Sequence, residues 1–182
     1  MNFKYVEKID VNWLKTAIES QPLDIWDEHT YRQTMSDTHA KTKTLEIIWD
    51  KESLVHGSKQ NKIHQNYYLF EMESFLNNLK PIYFSKYGDG EFIRVLIVKL
   101  LNNSNILPHV DNGSSLTNSK RTHIALITND EITFTVNNEV KNLKEGEIWE
   151  IDNTKVHSVN NPTDLDRIHL IIDWMPKKTN LI

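Results

Sequence analysis

The chain has 182 residues, with 38% hydrophobic and 25% charged side chains, which suits one soluble globular domain with a core. Its net charge of −4 argues against a nucleic-acid partner bound by general electrostatics, and the absence of cysteine excludes disulfides and zinc sites with thiolate ligands. Since no stretch has the pattern of a secretory signal or a membrane span, we expect a cytoplasmic protein without a membrane partner.

The N-terminal part, residues 1–85, combines helix and strand patterns. The spacing of its apolar residues predicts three elements, namely a helix over 11–19, a strand over 44–49 and a helix over 63–79. Asp10 is a suitable N-cap for the first helix, and Pro81 is expected to end the second. Two polar stretches, 27–42 and 51–62, are expected to be loops.

The C-terminal part, residues 86–182, is dominated by short apolar segments separated by polar turns. These segments predict strands over 92–101, 121–128, 131–136, 139–143, 146–152 and 167–174. The sequence Asn137-Asn138 suits the turn of a hairpin. Such a pattern favours a mainly β, antiparallel sandwich or jelly roll over a parallel α/β sheet. We therefore expect a single domain over 1–182, in which residues 1–85 form a buttress with helices packed on one face.

Two polar residues in the segment after the first long strand could share a metal ion. Side chains two positions apart on an extended chain point the same way, so His109 and Asp111 can meet at a strand end, where Pro108 and Gly113 interrupt regular pairing. Alone this signal is weak, since the pair could be two solvated residues of a loop. His157 strengthens it, because two histidines and one carboxylate form the facial triad of non-haem Fe(II) oxygenases, with open positions for a chelating co-substrate and O2.

Arg167 follows His157 by ten residues and begins an apolar strand. A guanidinium buried among apolar side chains needs an anionic partner, and it binds a carboxylate through two parallel hydrogen bonds. This pattern indicates a site for a carboxylate ligand. The alternative is an arginine at the strand edge that pairs with Asp164 or Asp166.

The roles of the other basic residues follow less directly from their positions in the sequence. Arg121 and His123 share one face of a strand and would add positive charge beside the metal, although an exposed arginine and a core histidine fit equally well. His169 is expected to be a buried neighbour of Arg167 rather than a ligand. Four further histidines lack metal spacing and are expected to take no part: His29, His39, His56 and His64.

Five motifs then agree in order and spacing with a known family: Pro108-His109, Arg121-Thr122-His123, Glu145-Gly146-Glu147-Ile148-Trp149, Asn153 with His157-Ser158-Val159, and Arg167-Ile168-His169-Leu170. The segment 94–174 resembles the aspartyl/asparaginyl β-hydroxylases, which are Fe(II)- and 2-oxoglutarate-dependent oxygenases. The resemblance implies a double-stranded β-helix of the cupin-like jelly-roll type. It covers a little under half of the chain.

The resemblance also implies roles for individual residues. His109 and His157 would bind Fe(II), Arg167 would bind the C5 carboxylate of 2-oxoglutarate, and Arg121 and His123 would lie near its C1 carboxylate and the metal. Some members of the family have glycine in place of the acidic ligand. This chain keeps Asp111, which argues against a halogenase because such enzymes need that position vacant for halide.

We therefore expect a dioxygenase that uses Fe(II), 2-oxoglutarate and O2 to hydroxylate an unactivated C–H bond. The substrate would be a free amino acid, or an Asp, Asn or Pro residue of a peptide or protein. The alternative is a cupin-type metal-binding protein that is non-catalytic or independent of 2-oxoglutarate. The loop 112–120 could be a lid over the site or a plain surface loop, and the oligomeric state is left open.

Overall fold

The computed structural model describes residues 1–50, 63–65 and 71–177, and its main elements are antiparallel strands. The strands are β1 Phe3–Lys8, β2 Thr42–Asp50, β3 Ile63–Gln65, β4 Gly90–Leu100, β5 Ser104–His109, β6 Lys120–Ile127, β7 Thr133–Val136, β8 Glu139–Lys141, β9 Glu147–Ile151, β10 His157–Asn161 and β11 Arg167–Pro176. The helices are α1 Asn12–Glu19, α2 Tyr31–Met35, α3 Met72–Tyr87 and α4 Ser114–Asn118, with 3-10 turns at Leu23–Asp27 and Asp37–His39.

The strands form two sheets. The larger sheet has the order β1-β9-β6-β11-β4-β2-β3, and the smaller has the order β5-β10-β7-β8. Residues 1–85 thus contribute three strands to the larger sheet in addition to their helices. The predicted mainly β, antiparallel class is confirmed. Within the described ranges, no helix combines the length and apolar character that a bilayer span requires.

The central strands of the larger sheet, β4, β6 and β11, are buried on both faces. Their outer-face residues, such as Val95, Ile124 and Leu170, join the helices in the main apolar cluster, where Leu14 and Leu79 are among the helical contributors. This packing confirms the expected position of the helices on one face. The alternate residues of the same strands face the smaller sheet.

The inner face of the larger sheet is partly polar. In β11 it carries Arg167, His169 and Asp173, and in β6 it carries Arg121 and His123, all of them buried. These residues alternate with the apolar positions that contact the helices, so a single strand supplies both the core and a polar cavity wall. The strand periodicity therefore positions the candidate site between the two sheets.

The second helix differs from its prediction. Residues 63–65 form β3, which pairs with β2, and residues 66–70 lie outside the described residues. The helix begins at Met72 and continues through Pro81 to Tyr87. Pro81 is exposed, so the carbonyl that loses its hydrogen bond can be solvated, and burial of Tyr83 in the following turn stabilises the continuation.

Several elements were not predicted. Strands β1, β5 and β10 were missed, and the expected loop 27–42 contains α2 and a 3-10 turn. The expected loop 51–62 lies outside the described residues. Within 112–120 the chain forms α4, whose Leu116 is buried and whose Leu116 carbonyl accepts a hydrogen bond of 3.1 Å from Asn153. This segment is anchored to the protein rather than a plain polar loop.

Candidate active site

The two histidines of the predicted triad lie opposite each other in the smaller sheet. His109 is the last residue of β5 and His157 is the first residue of β10, and the two form a cross-strand pair. Their ring centroids are 4.2 Å apart. The antiparallel register therefore brings together residues that are 48 positions apart in the sequence.

Hydrogen bonds fix the tautomer of both rings. Nδ1 of His109 lies 2.8 Å from the carbonyl of Leu107, and Nδ1 of His157 lies 2.9 Å from the carbonyl of Lys155. Since a carbonyl only accepts, each Nδ1 donates its proton and each Nε2 keeps a free lone pair. Burial lowers the pKa of His157, which favours the neutral form that binds metal.

Asp111 completes the cluster from the segment that follows β5. Its carboxylate oxygens lie 3.9 Å from Nε2 of His109 and 3.7 Å from Nε2 of His157. The candidate ligand atoms of the three residues lie within 4.8 Å of one another. Two imidazoles and a carboxylate that line one cavity fit a divalent ion with open positions, as a facial triad requires.

Arg121 holds the carboxylate of Asp111 in place. It donates from Nη1 to Asp111, and its Nε and Nη2 donate to the buried Asp173 over 2.8 and 2.7 Å. Burial opposes ionisation of Asp111, but Arg121 and the two histidines outweigh it and lower the pKa of the carboxyl group. Burial likewise lowers the pKa of Arg121, and the two aspartates more than compensate, so its pKa is raised. Both groups are therefore charged at neutral pH.

Arg167 is 1% exposed and lies at the start of β11, on the inner face of the larger sheet. Its Nη2 is 2.7 Å from Nδ1 of His169, and its guanidinium carbon lies 5.6 Å from the ring centroid of Phe134. Burial alone lowers the pKa of Arg167 to about 9. In the part of the chain that the structure describes, no carboxylate forms an ion pair with this arginine.

The alternative partners of Arg167 are engaged elsewhere. Asp164 accepts a hydrogen bond of 2.7 Å from Asn103, and Asp166 accepts one of 2.9 Å from the amide of Asn102. The structure thus contradicts the alternative in which Arg167 pairs with these residues at a strand edge. A buried guanidinium without an acidic partner is a suitable site for the carboxylate of a small molecule.

His123 lines the same cavity as the metal cluster, and its ring centroid lies 5.8 Å from that of His169, the neighbour of Arg167. Nδ1 of His123 and Nε2 of His169 are buried and have no partner among the described residues. Burial, reinforced by the charge of Arg167, holds the pKa of both rings well below 6.5. Both histidines are therefore neutral, and His123 offers a buried polar atom to a ligand in the cavity.

All six residues singled out as candidate ligands or co-substrate contacts line one cavity: His109, Asp111, Arg121, His123, His157 and Arg167. Arg32 and His39 from the N-terminal part also line it. His39 was expected to take no part, yet its ring centroid is 5.0 Å from that of His109, and burial lowers its pKa to about 3. Sequence spacing carries no signal for this contact, because it depends on how a 3-10 turn packs against β5.

Comparison with solved structures identifies the fold. The chain is similar to a 2OG-Fe(II) oxygenase family oxidoreductase from Burkholderia pseudomallei, with 15% identity and a TM-score of 0.59 over 93% of this chain and 91% of that one. It is similar to a viral collagen prolyl hydroxylase from Paramecium Bursaria Chlorella virus-1 solved with 2OG, with 8% identity and a TM-score of 0.58 over 97% of each chain. A Pseudomonas putida prolyl-4-hydroxylase gives a TM-score of 0.55 at 8% identity over 97% of this chain and 93% of that one.

Such similarity defines the architecture as the double-stranded β-helix, or jelly roll, of 2-oxoglutarate oxygenases. The sequence itself matches the family model described as aspartyl/asparaginyl beta-hydroxylase over residues 12–176. The chain therefore belongs to the aspartyl/asparaginyl β-hydroxylase family, and it is an oxygenase that uses Fe(II), 2-oxoglutarate and O2. The match extends through the N-terminal part, which the motifs alone did not cover.

Proposed function

We propose that His109, Asp111 and His157 bind Fe(II) and that Arg167 binds the C5 carboxylate of 2-oxoglutarate. The observation that carries this proposal is the fully buried guanidinium of Arg167, which has no acidic partner among the described residues and shares a cavity with the histidine and aspartate cluster. An unpaired buried cation is costly unless a ligand compensates it. 2-Oxoglutarate carries one carboxylate for a metal and a second, distant one for an arginine.

The bound Fe(II) and 2-oxoglutarate would supply the oxidising chemistry, in which O2 converts 2-oxoglutarate to succinate and CO2 and a substrate C–H becomes C–OH. The residues of this chain would provide position and charge balance. Arg121 fixes the orientation of Asp111, and the Nδ1–H bonds of His109 and His157 fix their rings. Arg167 would orient the co-substrate, so that each encounter leads to one productive geometry.

The surrounding side chains would also exclude water from the site. The cavity walls between these polar groups are formed by apolar residues: Val98, Ile106, Phe134, Val159 and Ile171. Electrostatic interactions strengthen when water is excluded, and unproductive side reactions are suppressed. Neutral His123 would bring a hydrogen-bonding atom to the co-substrate, and neutral His169 holds Arg167 without adding like charge beside it.

We further propose that the oxygenase hydroxylates an unactivated C–H bond of an amino acid, or of an Asp, Asn or Pro residue in a peptide or protein. The family description names aspartyl and asparaginyl residues, and two of the structurally similar proteins are described as prolyl hydroxylases. A cupin-type metal protein that does not use 2-oxoglutarate has no need for a buried arginine without an acidic partner at this position. We propose that residues 1–182 act as one unit in this function, because N-terminal residues line the same cavity.

The test is an anaerobic titration of the metal-free protein with Fe(II) and then with 2-oxoglutarate. We expect a weak visible charge-transfer band that requires both additions and is absent from His157→Ala. Asn160→Ala is a matched control, because Asn160 lies on the same strand with an exposed side chain, and it should keep the band. Absence of the band in folded, metal-loaded wild-type protein would contradict the proposal and favour a cupin without 2-oxoglutarate.

A further inference from the structure

All four arginines of the chain line two adjoining cavities: Arg32, Arg94, Arg121 and Arg167. The remaining positive charge of the sequence comes from 17 lysines. Arginine differs from lysine in its planar fork, which matches a carboxylate through two hydrogen bonds. Because the chain uses arginine only around these cavities, each of the four is a candidate for a defined anionic partner.

Arg94 and Arg121 share one such partner, Asp173. Arg121 bridges Asp111 and Asp173, and Arg167 is assigned above to the C5 carboxylate of 2-oxoglutarate. Arg32 and Arg94 are left without an assigned ligand. Both line the second cavity, which has a volume of about 190 Å³.

This second cavity leads to the metal cluster. It shares Asp111 and Arg121 with the first cavity, and its other walls include the apolar side chains of Trp49, Leu96 and Ile171. At about 30 Å³ per water molecule in the liquid, its volume corresponds to about six waters. It therefore suits a molecule of the size of one amino acid, placed beside Asp111.

Arg32 approaches this cavity from α2. Its Nη1 lies 3.5 Å from the hydroxyl of the buried Thr44, and no described carboxylate forms an ion pair with it. Burial lowers the pKa of Arg32 to about 10, and the charges of Arg121 and Arg94 act in the same direction. The guanidinium is thus charged at neutral pH, partly desolvated and weakly compensated.

Arg94 approaches from β4 and is 2% exposed. Its Nη1 donates to Asp173 over 3.0 Å, whereas its Nε and Nη2 have no hydrogen-bond partner among the described residues. Its guanidinium carbon lies 4.8 Å from the ring centroid of Trp49. Two buried N–H groups without an acceptor are rare in folded proteins and indicate a missing partner.

The local charges also favour an anion. Among the described residues, the three guanidiniums of Arg32, Arg94 and Arg121 face two carboxylates, Asp111 and Asp173, and both carboxylates already accept from Arg121. A divalent metal on Asp111 would increase the positive excess. A low-dielectric cavity with such an excess selects against cations and neutral molecules.

From these contacts we infer that Arg32 and Arg94 form a carboxylate-binding subsite for the substrate, which is a small carboxylic acid of the size of a free amino acid. The aliphatic part of the substrate would pack on Trp49, Leu96 and Ile171, with one C–H bond directed to the side of Asp111. This inference rests on the proposed function, because it names the substrate class of the same oxygenase site.

The test is a binding measurement under nitrogen on the protein loaded with Mn(II) and 2-oxoglutarate. The probes are the twenty free L-amino acids and their primary amides, which lack the carboxylate, and the readout is isothermal titration calorimetry. At least one acid should bind while its amide does not. Arg32→Ala should weaken that binding about ten- to a hundredfold, the loss expected for a charge-assisted hydrogen-bonded pair, and Arg32→Lys should restore only part of it.

Lys15→Ala removes a surface charge outside both cavities and should bind like the wild type. If no free acid binds although 2-oxoglutarate does, the subsite is refuted and the proposed oxygenase function stands. Equal binding of acid and amide, or an unchanged affinity in Arg32→Ala, also refutes it. A failure of 2-oxoglutarate itself to bind overturns the proposed function and the subsite together.

Discussion

Replacement of Arg167 by methionine should have opposite effects on stability and on co-substrate binding. Burial lowers the pKa of Arg167 from 12.5 to about 9, which corresponds to roughly 5 kcal/mol of desolvation cost at neutral pH. This value is an upper limit, because the hydrogen bond to His169 is lost as well. We expect Arg167→Met to stabilise the protein without ligands by about 1–4 kcal/mol.

The same change should weaken 2-oxoglutarate binding. Loss of two parallel hydrogen bonds between a guanidinium and a carboxylate costs about 3 kcal/mol, which raises the Kd about a hundredfold. Thermal unfolding with and without 2-oxoglutarate measures both effects on one sample. The Tm of the metal-loaded variant should rise by about 3–10 °C, and addition of 2-oxoglutarate should give no further increase.

The pH dependence tests the cause of the stability change. Below pH 9 Arg167 is charged in both the folded and the unfolded protein, so the full burial cost is present. Between pH 9 and the ordinary value of 12.5 the folded state releases the proton first, so wild-type stability recovers as pH rises. The advantage of Arg167→Met should therefore narrow above pH 9. A destabilised variant that binds 2-oxoglutarate normally would refute this reasoning.

Three further changes probe the site and its support. His157→Ala should abolish both Fe(II) binding and succinate formation, and measurable turnover would contradict the triad. Asp173→Asn should release Arg121, which holds Asp111 in place, and so lower the Fe(II) affinity about 10- to 100-fold. An unchanged affinity by metal titration would contradict this support of Asp111 through Arg121. Gly146→Ala should destabilise the protein by about 1–3 kcal/mol in chemical denaturation, because φ is +77° and a Cβ would lie 2.3 Å from the carbonyl oxygen of Ile9; an unchanged midpoint would contradict this.

Much of the site could be predicted because its residues occur in pairs on strands. Side chains two apart share a face, so Arg121 with His123 and Arg167 with His169 were each expected to share a face, and all four are buried. Whether Arg121 is buried or exposed was left open by the sequence. What could not be predicted is the packing of α2 against β2, which places Arg32 in the wall of the cavity that Arg94 also lines. Neither arginine has a neighbouring partner in the sequence, and only the tertiary packing gives them a common cavity.

The errors in the elements have a similar origin. The prediction ended the second helix at Pro81 because local rules penalise proline, but burial of Tyr83 and its hydrogen bond to Thr122 offset that penalty one turn later. Strand β5, which carries His109, was missed because it contains Pro108. As an edge strand of the smaller sheet, β5 tolerates a residue that cannot donate to the sheet.

The arrangement of buried charges leads us to expect that ligand binding and folding are coupled in this protein. Every inner-face arginine is desolvated by the same packing that forms the core, because apolar and polar residues alternate along the same strands. The unligated protein therefore carries guanidiniums whose burial is only partly compensated, and their full compensation awaits anions in the cavities. Each bound carboxylate should then stabilise the fold by mass action as well as by contact, so the most stable form should be the fully loaded complex.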